Sequence, residues 1–128
     1  MMIENTIILD TNCLYNFLNG EELEVGLVGD KKIVISEITE MEVQCNPNLN
    51  RTERILLKEF LAGITIIRLN EKLRNFAIKI RLTTRMKLMD SIIAATAQLT
   101  GIAVVTCDGN FDSVKTANVI LLPAVEKR

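Results

Sequence analysis

The carboxylates Asp10, Glu42, Asp90 and Asp108 are the side chains of this sequence best placed to do chemistry, and what they offer is the binding of a hard cation. Magnesium and manganese take oxygen ligands, polarise phosphate oxygens and acidify bound water, so a carboxylate cluster suits phosphate chemistry. The 128-residue chain has no histidine, which removes the commonest general base and the imidazole ligands of zinc enzymes. Its three cysteines, Cys13, Cys45 and Cys107, are odd in number and show no C-x-x-C spacing. That pattern argues against a disulfide framework or a zinc site and for reduced thiols, as in a cytoplasm.

Asp90 is the most telling of the four. Its neighbours Leu88, Met89, Ile92, Ile93, Ala94, Ala95 and Ala97 describe a helix buried on several sides, where a lone carboxylate would be costly or would protonate. A helix N-terminus offsets part of that cost, and a divalent cation shared with other carboxylates offsets most of it. The other three also have plainer readings. Asp10 can cap a helix, Asp108 can be a turn residue before Gly109, and Glu42 can be surface charge beside Glu37 and Glu40.

The elements that must position these groups alternate between short β-branched runs and longer helical patterns, which is the mark of βαβ units. Strands are expected at 6–9, 33–35, 64–69, 102–106 and 119–122. Helices are expected from Asp10 through Leu18, over Glu21 to Leu27, after Ser36 up to Pro47, over Arg51 to Ala62, after Asn70, and over Met89 to Thr100, with a turn at Asp108-Gly109-Asn110. The expectation is one domain over residues 1–128, an α/β fold forming an αβα sandwich around a central parallel sheet of about five strands. In such sheets ligands gather beyond the carboxyl ends of the strands where the strand order reverses. Asp10 and Asp108 each follow a strand and would converge there if their strands flank that point.

A net charge of −1 and a pI near 5.5 do not by themselves indicate a nucleic-acid binder. The charge is unevenly spread, however. Residues 1–30 hold Glu4, Asp10, Glu21, Glu22, Glu24 and Asp30 with no Lys or Arg, whereas residues 68–87 hold seven basic residues against Glu71 alone. The basic stretch reads either as the solvated face of an amphipathic helix or as a phosphate-steering surface, with Arg81, Arg85 and Lys87 as the candidate RNA contacts. No apolar run approaches the roughly 18 residues that span a membrane, and the start Met-Met-Ile-Glu-Asn lacks the basic and apolar regions of a signal peptide. A cytoplasmic protein is expected.

Four segments together resemble the PIN-domain family, in particular its VapC-type toxin nucleases. Ile7-Ile8-Leu9-Asp10-Thr11-Asn12 is similar to the family's opening strand and Asp-Thr-Asn. Ser36-Glu37-Ile38-Thr39-Glu40-Met41-Glu42 resembles its Ser-x-Ile-Thr-x-x-Glu segment, which selects Glu42 over its acidic neighbours. Lys87-Leu88-Met89-Asp90 is similar to a Lys-Leu-Pro-Asp helix start, with Met89 in place of proline. Thr106-Cys107-Asp108-Gly109-Asn110-Phe111 resembles the closing Thr-x-Asp-x-x-Phe segment. Asn110 stands where relatives are often acidic, and Cys107 where they often carry a basic or amide side chain.

The resemblance implies endonucleolytic cleavage of RNA by metal-activated water. Asp10, Glu42, Asp90 and Asp108 would hold Mg2+ or Mn2+, and Thr11, Asn12 and Thr106 would orient ligands or substrate. It also implies a homodimer restrained by a cognate antitoxin protein. The alternatives are a PIN nuclease that processes RNA without being a toxin and a PIN fold kept as a binding or scaffold protein. A receiver-like phosphorylation domain is disfavoured, since no acceptor Asp follows the third strand and no lysine the last. A nucleotide-binding module is disfavoured by the lack of G-x-G-x-x-G and of a G-K-[ST] phosphate loop.

Overall fold

Alternation within the short apolar runs builds a sheet that is covered on both faces. The computed structural model describes residues 5–114 and 117–128; Glu4 of the acidic amino-terminal run lies outside them. Strands β1 (Thr6–Leu9), β2 (Lys32–Ser36), β3 (Thr65–Ile67), β4 (Ala103–Thr106) and β5 (Val119–Leu121) pair in parallel in the order β3-β2-β1-β4-β5. Successive strand residues point to opposite faces. Ile8, Val34 and Val104 therefore enter one core, with residues of α5 (Glu71–Thr83) and α6 (Leu88–Thr100). Ile7, Leu9, Ile35 and Val105 enter the other, with α1 (Thr11–Leu18), α2 (Glu22–Val28) and α4 (Arg51–Ala62). Helix α3 (Glu37–Gln44) serves both, sending Ile38 to the first core and Val43 to the second. The result is the expected αβα sandwich. Ile8, Leu9, Val104 and Val105 are fully buried, and each contributes about 1.5–3 kcal/mol by leaving water.

Side-chain caps start most helices where a strand ends. Asp10 accepts the Cys13 N–H and opens α1, Ser36 accepts that of Ile38 and opens α3, and Asn70 accepts that of Leu73 and opens α5. Asn50 and Glu53 form a reciprocal capping box at α4. Gly101 ends α6 in the left-handed region at φ 73°, a conformation that costs glycine little.

Three local features differ from the sequence expectation. The third strand is shorter than 64–69, because β3 is an edge strand whose only partner, β2, engages Thr65, Ile66 and Ile67. The turn at Asp108 continues as a 3-10 helix over Gly109–Ser113, capped by Asp108 itself. A second 3-10 turn over Val125–Lys127, unforeseen, brings Arg128 back onto Glu24 of α2. Among the described residues no helix is long and apolar enough to cross a membrane.

Candidate functional site

Strand order places the reversal point between β1 and β4, where Leu9 lies opposite Val105. Asp10 leaves β1 there, its N–H bonded to the Val105 carbonyl at 3.2 Å. Both of its carboxylate oxygens are held: Oδ1 accepts the Cys13 N–H at 2.8 Å and Oδ2 accepts the Thr106 hydroxyl at 2.5 Å. Thr106, fully buried at the end of β4, also accepts the Asp108 N–H on Oγ1 at 2.9 Å. One hydroxyl thus bridges the two strand-end aspartates. Asp108 Oδ1 accepts the Asn110 N–H at 2.9 Å, which fixes its rotamer.

Glu42 is the sixth residue of α3, and because α3 starts directly from β2 the same rim of the sheet is reached. The Thr11 hydroxyl donates to Glu42 Oε1 at 2.6 Å and lies 3.3 Å from the hydroxyl oxygen of buried Thr39. Tyr15 ties α1 to α3 by donating to the Val43 carbonyl at 3.2 Å. Asp90 stands in the first turn of α6, ahead of a run from Ser91 to Ala97 that is buried throughout.

All four carboxylates, with Thr11, Asn12 and Lys87, line a single cleft of about 480 Å³. Burial pushes the Asp90 carboxyl up to about 6, aided by the charges of Asp108, Asp10 and Glu42 and opposed by Lys87. Asp10 is also raised, chiefly by burial, although its bonds from Thr106 and Cys13 work the other way. A bound cation would offset both the burial and the repulsion. An all-carboxylate donor set without imidazole or thiolate fits a hard divalent cation such as magnesium or manganese.

The acidic neighbours of Glu42 are committed elsewhere: Glu40 pairs with Arg68, and Glu37 Oε1 accepts the Leu69 N–H at 2.8 Å. Among the basic candidates, Lys87 lines the cleft, whereas Arg81 and Arg85 are exposed outside its lining. Two features escaped the sequence reading. Thr39 stands three residues before Glu42, on the same helical face, and that spacing was a usable signal. Behind the cleft a second cluster gathers Cys13, Glu24 and Cys107, with Arg128 forked onto Glu24 at 2.8 Å to each oxygen. No local motif announces it.

The sequence model of the PIN domain matches residues 7–117. The chain belongs to the PIN domain family. Solved structures similar to this PIN domain include a chain of a toxin-antitoxin complex from Klebsiella pneumoniae, at 24% identity and TM-score 0.80, covering 92% of this chain and 99% of that one. FitAcB from Neisseria gonorrhoeae aligns at 25% identity and TM-score 0.75, covering 89% and 96%. VapBC2 from Rickettsia felis, bound to a DNA fragment from the promoter, aligns at 19% identity and TM-score 0.76, covering 91% and 98%. No curated protein matches the chain. The five-stranded parallel sheet and six α-helices among the described residues of this PIN domain are thus the fold of VapC-type structures.

Proposed function

We propose that this PIN domain is a magnesium- or manganese-dependent endoribonuclease and the toxin of a toxin-antitoxin pair. The observation that carries the reading is the convergence of Asp10, Glu42, Asp90 and Asp108, from four separate elements, on one cleft. These four would hold the ion or ions, which would supply an activated water and charge stabilisation at the scissile phosphate. The protein's own part is alignment. Thr106 and the Cys13 N–H keep Asp10 facing the cleft in a fixed rotamer, and Thr11 does the same for Glu42. Asn12, exposed at the lip, would orient an incoming phosphodiester, and Lys87 at the cleft with Arg81 and Arg85 outside it would bind the strand's phosphates.

An antitoxin partner is supported by the neighbours described as toxin-antitoxin complexes. An apolar groove between α1 and α4, lined by Tyr15, Leu18, Leu49, Leu56, Leu57 and Phe60, offers such a partner a surface. A homodimer is supported by Ile78 and Leu82 of α5, which stand exposed, Leu82 by 80%.

The test is purified protein, freed of bound partner, incubated with total cellular RNA in magnesium, in manganese and in EDTA, beside the Asp10→Asn variant. Metal-dependent cleavage lost in the variant is expected. Cleavage that persists in EDTA would refute the metal mechanism, and metal binding without cleavage of any RNA would favour a scaffold.

A further inference from the structure

We propose that Cys13 and Cys107 are a covalent modification site, a thiol pair that a hydroperoxide converts into a disulfide and that thereby disables the carboxylate cleft. The two residues are 94 positions apart, yet their sulfur atoms lie 3.8 Å from each other. Cys13 is fully buried in the first turn of α1, whereas Cys107, just past β4, is partly open to solvent. Each is joined to the cleft through the backbone. The Cys13 N–H holds one oxygen of Asp10, and Cys107 sits between Thr106, which holds the other, and Asp108. A disulfide requires about 2.05 Å between sulfurs, so its formation draws the two sulfur atoms together by about 1.8 Å from their 3.8 Å separation and tethers the start of α1 to the exit of β4. Both anchors of Asp10 lie on the two segments that the bond tethers. The effect on cleavage rests on the function proposed above; the formation of the bond does not.

The chemistry is a two-electron oxidation in two steps. Hydrogen peroxide oxidises the accessible Cys107 thiol to a sulfenic acid and releases one water. The Cys13 sulfur then attacks the Cys107 sulfur, the S–S bond forms, and a second water departs with the remaining thiol proton. Peroxide receives both electrons, and a dithiol reductant reverses the result. A buried thiol is a slow nucleophile, so conversion takes sustained exposure. Glu24 does not turn the pair into a metal site, because its two oxygens already accept the Arg128 guanidinium at 2.8 Å each and the Asn16 amide at 2.8 Å. Exposed Cys45 lies apart from the pair and supplies an internal control.

The experiment exposes the full chain to hydrogen peroxide for graded times, alkylates free thiols, and maps cysteine peptides by mass spectrometry. A Cys13–Cys107 linked peptide two hydrogens lighter is expected in wild type and in Cys45→Ser, and none in Cys107→Ser. In parallel, the magnesium-induced rise in Tm should vanish in the linked form, and RNA cleavage should fall by about tenfold or more, with dithiothreitol restoring both. Oxidation of Cys107 to sulfinic acid with Cys13 left reduced would overturn the pairing. So would stoichiometric zinc in the purified protein that is lost in Cys13→Ser. A linked form whose magnesium response is unchanged would overturn the switch. The thermal readout needs no cleavage, so its failure is separable from failure of the nuclease reading.

Discussion

The Thr106 hydroxyl donates to Asp10 Oδ2 at 2.5 Å, and the residue that ends one central strand thereby sets the rotamer of the carboxylate that leaves the other. Removing that donor should weaken metal binding without touching a proposed ligand. Thr106→Val is expected to lower magnesium affinity and cleavage by about ten- to a hundredfold, while Thr106→Ser retains most of both. Calorimetric titration with manganese checks it; equal affinity in Thr106→Val would show that Asp10 is oriented by Cys13 alone.

Magnesium should stabilise the fold. At ten times its dissociation constant the gain is about 1.4 kcal/mol, or about 3 to 6 °C in Tm for a domain of this size. Asp90→Asn should remove most of this response yet leave the metal-free protein at least as stable, since it deletes the carboxylate that the other three repel. Melting curves unchanged across millimolar magnesium and manganese would count against a cation site.

The same residue makes a pH prediction. The folded-state carboxyl of Asp90 lies at about 6, above its ordinary 3.8, so the folded chain holds a proton that the unfolded chain has released. Its contribution to metal-free stability is full below about pH 4 and disappears as pH rises through about 6. Buried Asp10, also raised, acts in the same direction. In chelator, the Tm of wild type minus that of Asp90→Asn should therefore fall between pH 4.5 and 7. A flat difference would mean that Asp90 is not crowded.

Catalysis should separate the cleft acids from their neighbours. Asp10→Asn and Asp108→Asn are each expected to slow RNA cleavage at least about a hundredfold, the loss of several kcal/mol of transition-state stabilisation. Glu40→Gln should not, since Glu40 faces Arg68 outside the cleft; rates within about threefold of wild type, near 0.7 kcal/mol, are the expectation. Comparable losses in all three would point to a fold defect instead.

Glu24 offers a test of the second cluster. Burial disfavours its charge, but the hydrogen bonds from Arg128 and Asn16 outweigh that and hold it below the usual carboxylate range. Its contribution is therefore present above its ordinary pKa and lost as pH falls through the lowered one. Arg128→Ala should lower Tm, and Glu24→Gln added to it should recover part of the loss, because the orphaned charge is gone. A double variant no more stable than the single would show that Glu24 finds another partner.

Local patterns made much of this legible. Thr6-Ile7-Ile8-Leu9 followed by Asp10-Thr11-Asn12 marks a strand that turns into a capped helix, and the helix expected over Arg51 to Ala62 is α4 at the residues observed. Asp90 stood out because a charge in an apolar run needs a reason. What could not be read depends on distance along the chain. The pairing of β1 with β4 brings Cys107 against Cys13 and Arg128 against Glu24, and no periodicity encodes which distant residues meet. The edge position of β3, which shortens it, is likewise a property of the sheet and not of residues 64–69.

The strand order carries a consequence in time. Asp10 and Glu42 are synthesised early, but the floor between them and the other two acids is the register of Leu9 against Val105. A chain emerging from the ribosome therefore carries Asp10 and Glu42 before it can form the cleft, which closes only once β4 is free to pair with β1.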